Sequence, residues 1–149
     1  MNRLALSAVL LLSLALAVGS AAAQTVGMVA DVDGQVSVFD ADSDTIIANI
    51  RIPGGSWGDP FLCDCVITRD QKLGFVADFN NDSIWVIDLT RSPPTLATGV
   101  NPIPLTNSAE DLSLSPDEKF LVAASGWSAE GSPLAVVDIA GRTQICTFS

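Results

Sequence analysis

The 149-residue chain contains no histidine and no tyrosine, and the lack of histidine excludes several classes of site. A Ser-His-Asp or Cys-His catalytic group, a haem attached through Cys-x-x-Cys-His and a histidine-bearing zinc site all require that residue. Residues 54–58 match the G-x-S-x-G pattern of serine hydrolases by letter. The nucleophile elbow needs a strand-turn-helix context and a general base, so we interpret this stretch as a loop. We predict no catalytic residues and no cofactor.

Basic residues are scarce as well: seven Lys and Arg stand against seventeen Asp and Glu, for a formal net charge of −10. Nucleic-acid binding draws on clustered Lys and Arg to neutralise phosphates, and the basic residues of this chain are scattered. We therefore predict no nucleic-acid partner. The acidity is typical of a protein kept soluble outside the cytoplasm.

The amino end has the three parts of a secretory signal. A basic start at Arg3 precedes an apolar run over residues 4–18 and small residues at 21–23. We predict that residues 1–23 are a cleaved signal peptide and that the protein is extracytoplasmic, either periplasmic or secreted. The alternative is a retained anchor, because residues 4–23 carry no charge and twenty residues just cross a hydrocarbon core. No later segment is long and apolar enough to span a membrane.

An internal repeat organises the rest of the chain. Residues 68–78 are similar to residues 115–125, with a spacing of 47, and residues 27–31 match the end of the same segment. A second segment follows each copy, at residues 35–40, 83–88 and 134–138. These segments are short, rich in Val, Ile, Phe and Trp, and bounded by turn residues, which is typical of strands.

Four strands in each 40 to 50 residues is the arithmetic of a β-propeller blade. We predict an all-β fold with about two and three-quarter four-stranded blades: residues 24–57 without an inner strand, residues 58–104, and residues 105–149. The predicted strands cover residues 26–32, 36–40, 45–52, 64–67, 73–77, 84–88, 95–98, 111–114, 120–124, 134–138 and 143–147.

These segments resemble the YVTN-type repeats of bacterial seven-bladed propellers. The likeness lies in the Ser-Pro-Asp-Glu-Lys turn at residues 115–119 and in the strand segments at 75–78 and 36–40. The resemblance implies a propeller architecture rather than a chemistry. Gln71 and Glu118 depart from it, since the family usually has Gly in that turn.

Fewer than three blades cannot close a ring that takes at least four. We expect the chain to be the amino-terminal part of a longer propeller with missing carboxyl-terminal blades. The rival is a complete short chain that forms a homo-oligomer, for example two three-bladed arcs in one ring. A decayed fragment without function is the third alternative.

The candidate site residues follow from the propeller interpretation. Asp64, Glu110 and Asp111 would stand at the entrances of inner strands, facing the central channel, as ligands for a cation or a polar molecule. Trp57 and Trp127 lie in Gly- and Ser-rich loops and are candidate partner contacts; the alternative is packing between blades.

Two further patterns have a simpler explanation than ligand binding. Asp40-x-Asp42-x-Asp44 and Asp78-x-Asn80-x-Asp82 resemble the start of a calcium loop, but the twelfth position is not Glu in either. We interpret both as turns and predict no metal. Residues 81–83 fit the glycosylation sequon, which is weak evidence at a hairpin turn.

Cys63, Cys65 and Cys146 make an odd count for an oxidising compartment. We expect them to be unpaired structural residues. A disulfide from Cys146 to one of the others and a soft-metal site are the alternatives, but blade placement separates Cys146 from both.

From these observations we predict a non-catalytic extracytoplasmic binding or scaffolding module for a protein, a glycan or a small polar ligand. The alternative is the amino-terminal fragment of a propeller enzyme, similar to lactonases or quinoproteins, whose catalytic residues lie outside this chain. Fold analogy alone supports that alternative.

Overall fold

The computed structural model describes residues 25–126 and 133–148. The predicted signal peptide and Trp127 lie outside these ranges. Within them the chain has twelve strands and no helix, so it has no helix that could cross a membrane. The strands are β1 (Val26–Asp31), β2 (Gln35–Asp40), β3 (Thr45–Arg51), β4 (Leu62–Ile67), β5 (Leu73–Asp78), β6 (Ser83–Asp88), β7 (Thr95–Leu96), β8 (Ile103–Pro104), β9 (Asp111–Leu114), β10 (Phe120–Ala124), β11 (Leu134–Asp138) and β12 (Thr143–Phe148).

The described strands form three antiparallel sheets, which confirms the all-β prediction. Sheet 1 has the order β1-β2-β3, and sheet 3 has the order β9-β10-β11-β12. Sheet 2 has the order β4-β5-β6-β7, with β8 also paired to β6. Every predicted strand overlaps an observed one, whereas β8 was not predicted.

Sheet 2 is the middle layer of the stack, and its composition shows why. β5 and β6 are nearly continuous apolar runs and are buried along almost their whole length, as expected for strands covered on both faces. One core lies between sheets 1 and 2 and includes Val36 and Trp85. The other lies between sheets 2 and 3 and includes Phe75 and Leu121. In sheet 3, β10 and β11 instead alternate buried positions with half-buried or exposed ones, because only one face of the sheet lies against sheet 2.

Two turn residues explain the departures from the repeat pattern noted above. Gln71 and Glu118 have φ values of +57° and +55°, where a residue other than Gly costs roughly 1–2 kcal/mol. Each side chain reaches the preceding sheet. Gln71 Oε1 accepts the Val26 N–H at 2.7 Å, and Glu118 Oε1 accepts the Arg69 N–H at 2.8 Å. Glycine would relieve the backbone but could not make these bonds between sheets.

The outer edge of sheet 2 is completed by a side chain rather than by a continuous strand. β7 pairs with one end of β6 and β8 with the other, which leaves Val86 between them. Asn101 Oδ1 accepts the Val86 N–H at 2.9 Å. Its Nδ2 donates to the carbonyls of Val86 at 2.8 Å and Ala97 at 3.0 Å. The Asn101 amide thus takes the place of a backbone peptide in the ladder.

Candidate functional site

Three of the predicted site residues, Asp64, Glu110 and Asp111, lie at the same loop end of the sheets, where β4 and β9 begin and β5 ends. β4 and β9 are neighbours in adjacent sheets, and Asp64 joins them. Its Oδ1 accepts the Cys65 N–H at 2.7 Å, and its Oδ2 accepts the Leu112 N–H of β9 at 2.8 Å. Half-buried Asp64 therefore joins β4 to β9 across two adjacent sheets. A ligand role for Asp64 stays a prediction.

Glu110 and Asp111 lie at the start of β9 and differ in their surroundings. Glu110 is half-buried, and its Oε2 accepts the Gly126 N–H at 2.6 Å. This bond fixes the carboxylate beside the end of β10. Asp111 is exposed at the first position of β9. The structure thus brings Asp64, Glu110 and Asp111 to one end of the molecule, and of these three Glu110 lines a cavity.

Cys63 shows how closely these carboxylates are grouped. Burial raises the pKa of its thiol, and the negative charges of Glu110, Asp111, Asp78 and Asp64 raise that pKa further. A thiol with a raised pKa stays protonated at neutral pH and is a poor nucleophile. The cluster therefore opposes thiolate chemistry at Cys63 and favours the approach of positive or hydrogen-donating groups.

The other two cysteines lie in strands β4 and β12. Burial, followed by the charge of Asp64, raises the pKa of Cys65. Its Sγ donates to the Met28 carbonyl at 3.5 Å across the interface between sheets 1 and 2. Cys146 lies in β12 at the outer edge of sheet 3, and all three cysteines are free.

Asp78 is a residue of this end that the sequence reasoning did not assign to the site. It is fully buried at the last position of β5. Its carboxylate accepts the Phe61 N–H at 3.2 Å, the Asn81 Nδ2 at 3.0 Å and the Trp85 indole N–H at 3.2 Å. A buried charge needs such partners. Asp78 therefore anchors both the start of β4 and the β5–β6 turn. In the sequence, the one indication of this role is its position at the end of the repeated apolar segment.

The β5–β6 turn also positions the loop that carries Trp57. Asn81 Oδ1 accepts the Trp57 N–H at 3.2 Å, and Gly55 lies against the same side chain. The Trp57 side chain is 76% exposed. Within the sequon at residues 81–83, the Asn81 amide donates to Asp78 and Ser83 is buried.

A small apolar cavity opens at this end, beside the acidic cluster. It has a volume of about 180 Å³ and is lined by Phe61, Phe79, Asn80 and Glu110. The rings of Phe61 and Phe79 meet edge to face, with centroids 6.2 Å apart and an interplanar angle of 69°. The arrangement combines aromatic surface with a carboxylate that is fixed by the Gly126 N–H. It can hold a small ligand that has an apolar face and hydrogen-bond donors.

The calcium-like patterns act as turns. Asp40 Oδ1 accepts the Asp42 N–H at 2.8 Å, and Asp42 Oδ2 accepts the Thr25 N–H at 3.1 Å. In the part of the chain that the structure describes, no group of three or more Cys, Asp or Glu side chains could hold a metal ion.

Comparisons with known proteins show similarity of fold. No family model and no curated protein matches the chain. A solved structure of a functionally unknown protein from Desulfotomaculum acetoxidans has a TM-score of 0.68 at 19% identity, over 83% of this chain and 35% of that chain. Kuenenia stuttgartiensis hydrazine synthase has a TM-score of 0.61 at 16% identity, over 80% and 34% of the two chains. The chain thus spans about a third of each of these two proteins, and at such identities the similarity is one of fold alone.

Proposed function

We propose that sheets 1 to 3 are consecutive blades of a YVTN-type β-propeller and that the chain is a non-catalytic, extracytoplasmic binding module. Three features support the propeller: strands joined in sequence order within each sheet, the 47-residue spacing of equivalent segments, and face-to-face stacking of the sheets with β4 beside β9. Export remains an inference from the sequence of residues 1–23.

The observation that carries the binding role is the cavity formed by Phe61, Phe79, Asn80 and Glu110. Its aromatic rings offer an apolar surface, and Glu110 offers only acceptor atoms when ionised. The surrounding acidic cluster disfavours anionic ligands. A neutral sugar has hydroxyl donors and an apolar ring face, so we propose a glycan residue as the ligand. The cavity volume of about 180 Å³ restricts the buried part to a single ring.

Titration with a panel of neutral methyl hexosides and disaccharides, followed by NMR of the aromatic resonances, tests this proposal. We expect saturable shifts at Phe61 and Phe79. Phe79→Ala and Glu110→Gln should each weaken binding by about tenfold or more, which corresponds to the loss of one stacking or charged hydrogen-bond contact. Val100→Ala is the control, because Val100 is 51% exposed in the loop between β7 and β8 and does not line this cavity. A panel that shifts neither ring would overturn the glycan proposal.

The alternative function is the amino-terminal part of a propeller enzyme, lactonase-like or quinoprotein-like. It is favoured by the fold similarity to a chain of hydrazine synthase, about a third of which this chain spans. Sequencing the transcript beyond the codon for Ser149 tests it. Further repeats that carry His or clustered carboxylates would support the enzyme, and a stop codon would refute it.

A further inference from the structure

Each sheet has two faces that the repeat makes equivalent from one sheet to the next. The forward face points toward the following sheet. In sheet 1 it includes Met28 and Ala30, which pack on sheet 2. In sheet 2 the corresponding residues are Phe75 and Ala77, which are fully buried against sheet 3. The forward face thus packs on a neighbouring sheet twice within the molecule.

The back face receives the preceding sheet. In sheet 2 it includes Gly74, Val76 and Ile87; Val76 and Ile87 are fully buried, and the Met28 thioether lies against Gly74. In sheet 3 the equivalent positions are Leu121, Ala123 and Val137, which are buried against sheet 2. Two forward-on-back interfaces therefore hold the three sheets together.

On the outer side of sheet 3 a forward face is left uncovered. Phe120, Val122 and Ala124 of β10 occupy the positions of Leu73, Phe75 and Ala77. Strand pairing places Val136, Leu134 and Phe148 beside them on the same face. Phe120, Leu134 and Phe148 are 36%, 37% and 58% exposed. Among the described residues no sheet lies against this surface, although a contiguous apolar face is rarely left open on a monomeric protein.

On the outer side of sheet 1 a back face is left uncovered. Gly27, Val29 and Phe39 of sheet 1 occupy the positions of Gly74, Val76 and Ile87. Val29 is 54% exposed, whereas its equivalent Val76 is fully buried. The neighbouring Ile46 is 64% exposed. Val29 and Phe39 thus occupy positions that sheet 2 buries, whereas the polar Ser37 stands opposite Val29 where sheet 2 has Trp85 opposite Val76. Within the described ranges no sheet lies against these residues of sheet 1.

We propose that a second copy of this chain docks head to tail, with the back face of its sheet 1 on the forward face of sheet 3. The interface would continue the two forward-on-back interfaces already present inside each chain. Two copies joined this way bring six of the described sheets together, which lies within the four to eight blades of closed rings. Head-to-tail contacts of this kind form a closed ring when the rotation from each copy to the next leads back to the first copy. The proposal rests on the propeller architecture, but not on the glycan site, which lies at the loop end of the stack.

Sedimentation equilibrium of the protein, expressed from its complete coding sequence with its own leader, tests the docking. We expect a mass of two chains. Val29→Glu introduces a charge into the back face of sheet 1, and Val136→Glu introduces a charge into the forward face of sheet 3. Each places a carboxylate in the interface and should weaken association at least about 100-fold. Val100→Glu is the matched control, because Val100 is 51% exposed in the loop between β7 and β8. Phe148→Ser provides a second forward-face variant if Val136→Glu does not fold.

Mixing the variants distinguishes a head-to-tail contact from a symmetric one. Val29→Glu keeps an intact forward face, and Val136→Glu keeps an intact back face. The mixture should therefore recover a two-chain species that neither variant forms alone. A wild-type protein that remains monomeric at every concentration would overturn the proposal, as would a mass that grows without limit. A Val29→Glu variant that dimerises like the wild type would show a forward-on-forward contact and overturn it too. Saccharide binding is measured separately, so either result stands without the other.

Discussion

Replacing Asn101 with alanine should destabilise the protein by about 1–3 kcal/mol, although this residue lies in a loop and is only half-buried. The Asn101 amide makes three hydrogen bonds, two of them with Val86. Val86 is fully buried, and its N–H would lose its partner. Leaving a buried donor unpaired costs about 1–3 kcal/mol. The Val86 carbonyl keeps the Ala97 N–H at 2.9 Å, which limits the total loss.

Asn101→Asp separates the roles of the two ends of the amide. A carboxylate can still accept the Val86 N–H, but it faces the carbonyls of Val86 and Ala97 without a proton to donate. The loss at pH 7 should therefore be at least as large as that of alanine. Part of it should return in acid, where the protonated side chain can donate one bond.

Urea unfolding at a fixed protein concentration measures these changes, because the midpoint at constant slope reports stability. Asn107→Ala is the matched control: its amide makes one 3.4 Å contact to the Thr106 hydroxyl, and we expect a change within about 0.5 kcal/mol. An Asn101→Ala protein as stable as the wild type would refute the view that this side chain completes the sheet.

Three further predictions concern other polar contacts of the fold. Glu118→Ala should cost about 1 kcal/mol in urea unfolding by removing the bond to the Arg69 N–H, whereas Glu118→Gly should recover about that amount by relieving the positive φ; a glycine variant less stable than the alanine variant would contradict this. Burial and the charge of Asp78 raise the pKa of Asp82 above 3.8, so its ionisation opposes folding as pH rises through that range. Asp82→Asn should therefore stabilise the protein at pH 7 and have no effect below about pH 3, as followed by thermal unfolding; an equal stabilisation at both pH values would contradict the electrostatic cause. Trp85→Phe removes the indole N–H from buried Asp78 and should cost about 1.5–3 kcal/mol by circular dichroism melting, so an unchanged Tm would contradict the role of that bond.

The strands were predictable because their signal is local. β10 and β11 are nearly continuous apolar runs in the sequence, although only alternate residues of them face sheet 2. In β5 and β6, continuous apolar runs reflect burial on both faces. β8 was not predicted because a strand of two residues is too short to show a pattern of alternating residues. It pairs with β6 next to Asn101, whose side chain reaches Val86, fifteen residues away in the sequence.

The candidate site was only partly predictable. Repeat spacing placed Asp64, Glu110 and Asp111 at strand entrances, and the structure brings them to one end. The spacing gave no indication that Asp64 would use both oxygens on backbone amides of adjacent strands. It also did not identify Phe61 and Phe79, which form a cavity wall only when the ends of β4 and β5 lie side by side.

The sequence by itself determined the positions of the described strands except β8, the repeat and the exclusion of histidine chemistry, because each depends on residue type and on spacing along the chain. The tertiary structure decided which apolar faces are covered, which turn residues bridge sheets, and which carboxylates share an opening. Val29 and Val76 illustrate the difference: they are the same residue at the same repeat position, yet one is 54% exposed and the other fully buried. Only the stacking of whole sheets distinguishes them, because burial depends on a neighbour that is distant in sequence.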